Sequence, residues 1–520
     1  MKSSWWYCGL VLLLFCAASV YAEGFKPTDN EDIRSLRRYS QIKHGREIWF
    51  KNTYGGEKFF DILATEGVQI GSRKVIIRVG FENVITTPRN KRFQTWGTIN
   101  DPDCTANPKE GEPDICLNDP HATGVIGIRQ FESNGRTIFG TSCASCHVGF
   151  NPLNPPTDVN EPEWDNLHPT IGSPHLKSGK ITAANLPPTD PLRLMFEAWP
   201  DGTVDTTALF NDNVMNPSVI TAIWGLRHRP TFDVGLDEPK IRMGLGGEDD
   251  LGGERAALRV YTNIGVCFSE CIKQPLADGT PIDLEQCRAS DCLPPEQDIN
   301  DLVKFLRSIK APKFPERSPD PYLFVQGREV FKENCSSCHT LKGRAGRVLS
   351  NDEVTLFVED LNPLKDPVNT TNACRALTSQ WQEDHLWAEF SSQVYKDRAA
   401  AHGKGYRTVP LTGIWATAPF LHNQSVGPIP PANASPEERA QAYEAAVREL
   451  LLLSRQPKIN TLPVQVGPFP PGTPLTFVFS RDPTTGQVLC DDIVENRGHH
   501  YGAELPDEDK EALVFWLRQQ

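Results

Sequence analysis

Two five-residue stretches concentrate the chemistry of this chain: Cys143-Ala144-Ser145-Cys146-His147 and Cys335-Ser336-Ser337-Cys338-His339. A pair of thiols with two residues between them, followed at once by an imidazole, is the attachment signature of c-type haem. The thiols add across the haem vinyl groups, and the His ligates the iron from the proximal side. Cys143, Cys146, Cys335 and Cys338 are therefore the expected cofactor-binding residues, and His147 and His339 the expected iron ligands. The rival uses of such a spacing are a redox-active dithiol, half a zinc site or a structural disulfide. Two copies with matching upstream residues favour haem. Gly135, Phe139 and Cys143 stand at four-residue steps, and so do Gly327, Phe331 and Cys335. That spacing predicts a helix before each motif, with all three residues on one face.

The elements that position these motifs have ample chain to draw on. There are 520 residues, enough for two or three domains with cores of their own. The 43 prolines and 39 glycines predict long ordered loops between helices. A net charge of −13 without a basic run argues against nucleic acid as a partner. Residues 1–22 read as a secretory signal: Lys2, then an apolar core from Gly9 to Val20, then small residues around Ala22. That core is too short to span a membrane, and no later segment is long and apolar enough. Cys16 would suit a lipid anchor, but Phe15 before it is too bulky for a lipoprotein cleavage site.

Export agrees with the cysteines. Without Cys8 and Cys16, twelve of fourteen remain, four of them in the motifs. The other eight form an even set, which in an oxidising compartment implies disulfides. Sequence neighbours suggest 104–116, 267–271, 287–292 and 374–490, one of many possible pairings. The expected location is a bacterial periplasm or the outside of the cell.

Read in order, residues 23–100 form an amino-terminal extension. It has a helix near Gly45 to Trp49, a turn at Gly55-Gly56 and a short strand at Val75 to Val79. Residues 101–320 form a first cytochrome c-like domain. It contains a Pro-rich loop with His168, a helix at Ala256 to Ile264, and an amphipathic helix from Asp298 to Lys310. In that last helix Leu302, Phe305, Leu306 and Ile309 recur at helical spacing. A Pro-rich linker at 313–319 leads to a second such domain, 321–520. This domain has a helix from about Pro436 to Ser454 and a last helix starting at Asp507, an N-cap candidate. The expected fold is mainly α: two class I cytochrome c-like domains with long Pro/Gly-rich loops and little β structure.

Both motifs, the stretch Pro410 to Asn423 (PLTGIWATAPFLHN) and the ending Gly498-His499-His500-Tyr501-Gly502 resemble the bacterial di-haem cytochrome c peroxidase superfamily, which includes the MauG-type enzymes. The branch most similar in flavour is that of the haem rubber oxygenases. The resemblance covers roughly residues 120–520. It implies oxidant chemistry at the amino-terminal haem and a six-coordinate carboxy-terminal haem that handles electrons. It also implies a calcium ion between the domains, with no ligands matched here, and a Trp between the haems, for which Trp199 and Trp224 are candidates. Those peroxidases keep an acid and an amide over the reactive iron within local motifs that this chain lacks. Oxygenase chemistry therefore gains ground.

The sixth iron position decides function. In this domain plan the ligand comes from the loop ahead of the closing helix. In the second domain that loop holds His499 and His500. The resemblance favours His499, directly after Gly498, and His422 competes. From Gly244 to Asn334 there is no His and no Met. The first iron is thus expected to be open to peroxide or dioxygen, with Phe268 and Glu270 as candidate catalytic residues and Tyr261 nearby. His168 is either a removable ligand or an ordinary loop His. The expected partners are hydrogen peroxide or dioxygen, an organic substrate or reductant, and a small cytochrome or cupredoxin as electron donor. An electron carrier with two six-coordinate haems is the competing function. The mature chain is expected to start at Glu23 and to carry two covalent haems. Intact mass after expression with the cytochrome maturation machinery checks this, and a mass short of two haems contradicts it.

Overall fold

The computed structural model describes residues 30–70, 73–169, 171–205, 214–215, 217–224, 296–316, 320–336, 339, 374, 411–482 and 485–520. The signal at 1–22, the expected helix at Ala256–Ile264, Tyr261, Phe268, Glu270, Cys338 and the suggested disulfides 267–271 and 287–292 lie outside these residues. Among the described residues the protein is mainly helical, with only short two-stranded antiparallel sheets. Among the described residues no helix is long and apolar enough to cross a membrane.

Two helix crossings organise the chain. In the first, the amino-terminal helix Asn30–Lys51 packs on the helix Glu296–Ser308. Ile42, Gly45 and Trp49 form its inward stripe, and Ile299, Leu302, Val303, Phe305 and Leu306 answer it. The backbones touch: a methyl group on Gly45 would stand 2.1 Å from the Asp301 carbonyl oxygen. His44 Nδ1 and Asp301 Oδ2, 2.9 Å apart, link the two helices, and Gln297 Nε2, one turn earlier on the same helix as Asp301, orients that carboxylate by donating to Oδ1 at 2.8 Å. Trp49 then meets Phe305 at 6.1 Å between ring centroids.

The second crossing repeats this arrangement. The helix Pro321–Asn334 starts with Pro at its first position. The Asp320 carboxylate caps it, accepting from the N–H groups of Tyr322 and Leu323 at 2.8 and 3.2 Å. It packs on Asp507–Arg518, where a methyl on Gly327 would stand 2.0 Å from the Ala512 carbonyl oxygen. Phe331 and Trp516 follow at 4.7 Å. Pro506 occupies the cap position of the closing helix, so Asp507 is its first residue rather than its cap. Asp507, Glu508 and Asp509 instead place negative charge against the positive end of the helix dipole. The intervening helix Pro436–Leu450 opens with a Ser435–Glu438 capping box and ends before the expected Ser454.

The helix expected before the first motif is not there. Gly135 and Phe139 belong to a β-hairpin, Ile128–Ser133 paired with Arg136–Thr141. Asn134 and Gly135 form its two-residue loop with φ of 51° and 72°. Positive φ at both positions is the type I′ turn that Asn-Gly favours, and that turn sets the register of the two strands. The four-residue step from Gly135 to Cys143 was therefore coincidental. The true counterpart of Gly327 and Phe331 is Gly45 and Trp49, at the same step, inside the segment expected to be an extension. The expected strand at Val75 to Val79 is also shorter. Arg73–Val75 pairs with Val68–Ile70, and no strand continues past Val75. Two of the suggested disulfides are present, Cys104–Cys116 and Cys374–Cys490.

Ala in place of Gly gains up to about 1 kcal/mol of helix propensity. At the crossings a backbone clash opposes it, and overpacking typically costs about 1–3 kcal/mol. Gly45→Ala and Gly327→Ala should each lower the melting temperature by several degrees. Gly56→Ala, where the new methyl meets nothing within 4 Å, should leave it unchanged or raise it. Thermal melts of the three variants check this.

Candidate functional site

The first motif is held from three directions. Ser142, just before it, is buried, and its hydroxyl donates to the Phe50 carbonyl at 2.9 Å, tying the motif to the end of the amino-terminal helix. The Ser142 N–H donates to the Gly127 carbonyl at the base of the hairpin, at 2.8 Å. Gly127 itself has φ 79°, and a methyl there would lie 2.1 Å from the Ser145 nitrogen. Within the motif the His147 N–H donates to the Cys143 carbonyl at 3.0 Å. The second motif folds alike: the Cys335 N–H donates to the Phe331 carbonyl at 2.8 Å, and the His339 N–H to the Cys335 carbonyl at 2.9 Å. One local turn thus serves both copies, although a hairpin leads into the first and a helix into the second.

The side chains fit haem better than the rival chemistries. Cys143 and Cys146 are not joined in a disulfide. Burial pushes the Cys143 thiol up to about 12, and burial likewise raises Cys146. A redox-active dithiol needs the opposite shift, toward thiolate. His147 Nδ1 lies 3.1 Å from the Thr221 carbonyl oxygen. A carbonyl only accepts, so Nδ1 carries the proton and Nε2 keeps the lone pair that a metal requires. Such a partner behind a ligating imidazole orients the ring and raises its basicity. Trp49 flanks the His147 ring at 6.1 Å.

At the second motif the His339 ring faces that of His499, with centroids 6.3 Å apart and planes inclined at 52°. Two imidazoles bound on opposite sides of one metal, with bonds of about 2.0–2.1 Å, put their centroids roughly 6–6.5 Å apart. Burial, with a contribution from His339, lowers His499 to about 4, so it is a neutral ring with a lone pair to give. Its backbone is unusual: Gly498 and His499 have φ of 80° and 53°. Left-handed conformation at a non-Gly residue costs of order 1–3 kcal/mol and recurs at functional sites. Arg455 Nη2 donates to the Gly498 carbonyl, and the Tyr501 ring stands edge-on to His499 at 5.7 Å.

The other candidates sit elsewhere. The His422 carbonyl accepts from the Val219 N–H at 2.5 Å, in a turn where Leu421 and Gln424 have positive φ. Among the described ring contacts, His339 faces His499 and not His422. His168 lies in the strand Leu167–Pro169, opposite Gly149, with Nδ1 2.8 Å from the Pro169 carbonyl and its ring against Trp224 at 5.2 Å. Trp199 is a core residue, edge-on to Phe196 at 5.1 Å. Trp224, three residues along the chain from Thr221, belongs to another apolar cluster, and its Nε1 donates to the Thr412 carbonyl at 2.7 Å. Among the described residues no three His, Cys, Asp or Glu gather into a metal site.

Sequence reading missed Trp49, Thr221 and Arg455. Gly45 and Trp49 did carry a signal, the same four-residue step as Gly327 and Phe331. Thr221 acts through its backbone, which leaves no trace in residue type.

A family described as RoxA-like, cytochrome c-like matches residues 405–444. The match spans the turn that takes Trp224's hydrogen bond, His422, and the start of the helix Pro436–Leu450. It points to a haem c cytochrome of an oxidoreductase family. No curated protein matches the chain.

His499→Ala should convert the low-spin spectrum of one haem to high-spin, or to that of a weaker ligand. His422→Ala should leave it low-spin. Optical and electron paramagnetic resonance spectra of the oxidised protein check this, and the reverse result would put the ligand at His422.

Proposed function

We propose that the chain is an exported di-haem c-type cytochrome oxidoreductase. It activates peroxide or dioxygen at the haem of Cys143, Cys146 and His147. The haem of Cys335, Cys338 and His339 serves as a six-coordinate electron relay. When bound, the first haem supplies a redox-active iron with a position open to the oxidant.

The observation that carries this reading is the asymmetry between the two histidines. His339 is faced by His499 at 6.3 Å. The loop ahead of the first closing helix, within Gly244 to Asn334, offers no His and no Met. His168, the nearest alternative, is occupied by the Pro169 carbonyl and by Trp224.

The chain's own residues supply the rest. Thr221 fixes the tautomer and plane of His147, which keeps Nε2 directed for iron. Trp49 and Phe305 exclude water from that side. From Thr221 the chain runs to Trp224, whose indole N–H reaches the Thr412 carbonyl. Trp224 also shares an apolar cluster with Phe331 and Trp516 of the second crossing. Covalent and hydrogen-bonded matter therefore connects the proximal His of one motif to the core beside the other, and electrons are proposed to follow it. Trp224 takes this bridging role rather than Trp199. Two disulfides and the apolar amino-terminal stretch support export to a periplasm or beyond. The electron donor is proposed to be a small cytochrome or cupredoxin. A calcium ion is proposed only from the resemblance.

In oxidised protein, one haem should be high-spin and bind cyanide or imidazole readily, while the other stays low-spin and resists both. Turnover with hydrogen peroxide and a reduced cytochrome would mark a peroxidase. Turnover with dioxygen and an unsaturated substrate would mark an oxygenase. Two low-spin haems equally resistant to added ligands would overturn the proposal and leave an electron carrier.

A further inference from the structure

Arg439 breaks a rule that the other buried arginines of the described residues keep. The buried guanidinium groups of Arg89 and Arg92 share the Asp114 carboxylate at 2.9 and 3.0 Å, and Arg129 reaches Asp119 at 2.7 Å. Arg439 is only 4% exposed, yet no carboxylate of the described residues pairs with it. Its Nε donates to the Ala434 carbonyl at 3.2 Å and its Nη2 to the Ala432 carbonyl at 2.9 Å. Its Nη1 makes no hydrogen bond among the described residues and is not fully buried, so it can still take a ligand. Glu438, the neighbouring acid, is committed to the capping box, accepting from the Ser435 N–H at 2.8 Å. Burial pulls Arg439 down to about 10, which leaves it charged at neutral pH. A buried charge without a counter-ion costs several kcal/mol, so its retention points to an anion.

A second donor stands within electrostatic range. His175 Nε2 is buried without a hydrogen-bond partner. Burial first, then Arg439 and Lys177, hold this imidazole at about 4, so it is neutral and can donate one N–H. Its ring lies 5.5 Å from Phe93, which packs 5.4 Å from Phe150, three residues after His147. Two residues before His175, the Ser173 N–H donates to the Cys146 carbonyl at 3.1 Å. Ala432, whose carbonyl holds Arg439, shares an apolar cluster with Phe150 and Cys143. The unpaired cation and the unpaired imidazole therefore both sit beside the first motif, the cation delivered by a helix of the second half of the chain.

We propose that Arg439 and His175 form the seat of a carboxylate, a propionate of the haem attached at Cys143 and Cys146. This rests on haem attachment at that motif and not on the activity proposed above. A guanidinium pairs with a carboxylate through a charge-assisted hydrogen bond, and a low-dielectric setting strengthens it. The charged groups facing the seat are Arg439 itself, with Lys177 and Glu438 around it, beside the neutral His175. The net cationic surroundings would keep the propionate ionised and favour the less positive, ferrous state of the iron.

The test uses the full-length holoprotein. Haem content and the midpoint potential of each haem are measured by spectroelectrochemistry from mildly acidic to mildly alkaline pH. Arg439→Gln should keep both haems and lower the potential of the first. That potential should also become pH-dependent, falling as pH rises, because a propionate without its cation titrates and its charge favours the ferric state. The second haem should not change. Arg439→Lys should largely restore the wild-type potential. If Arg439→Gln yields no soluble protein, His175→Phe takes its place, with a smaller fall expected. An unchanged potential and pH profile of the first haem in the variant obtained would overturn the proposal. So would a wild-type potential that shifts with added acetate, which would assign the seat to a free carboxylate.

Discussion

Backbone-to-backbone contact at a glycine is the constraint on which the rest of this protein depends. It occurs twice, at Gly45 against Asp301 and at Gly327 against Ala512. Only without a side chain can two helices come that close, and only then do the aromatic rings one turn further on interlock, Trp49 with Phe305 and Phe331 with Trp516. Each crossing ends at a haem-attachment motif. In the second the helix runs straight into Cys335. In the first the chain leaves the helix at Lys51 and returns by way of a hairpin, so that Ser142 can bond the Phe50 carbonyl. The same platform is thus built once by continuous chain and once by an insertion of some ninety residues between helix and motif.

The polar chemistry around each motif is consistent with a single use. Burial keeps the first pair of thiols protonated and away from thiolate chemistry. A backbone carbonyl accepts from His147 Nδ1–H and so holds the proton on the nitrogen that a metal does not need. At the second motif a strained His499, preceded by a glycine with positive φ, faces His339 across a gap that suits one metal. The strain at His499 is local and small beside the bond a metal would form, so a conformation disfavoured in the free chain is affordable there.

Among the described residues the two halves share an apolar core, in which Phe59, Leu63 and Phe196 pack with Leu462, Leu475 and Val478, and are joined by specific further contacts. Trp224 reaches Thr412, Val219 reaches the carbonyl of His422, and the helix carrying Arg439 extends toward Phe150 and His175. These contacts fall on the stretch 405–444 that resembles a known cytochrome c-like family. That stretch holds no haem-attachment motif. Its recurrence in a family is understandable if its role is to couple the halves, because such a role constrains backbone shape as well as side chains.

Residue type and spacing by themselves determined the two Cys-x-x-Cys-His units, the mainly helical class and the amphipathic closing helices, and suggested two disulfides that the structure holds. Each of these depends on local periodicity or on covalent chemistry, which a linear string records. They also narrowed the second axial ligand to a few histidines, since only His499, His500 and His422 were candidates. Tertiary structure decided what local patterns could not. It placed the hairpin where a four-residue step suggested a helix, because Asn-Gly turn geometry and cross-strand pairing outweigh a chance spacing. It moved the amino-terminal helix from an extension into the first crossing, nearly 250 residues from its partner in sequence, because packing is settled by shape at the glycine and not by distance along the chain. It placed Trp199 and Trp224 in separate apolar clusters, and it revealed Thr221, which acts through a carbonyl that every residue possesses. It also exposed Arg439 as a cation without an acid, a property of surroundings that no residue carries in its name.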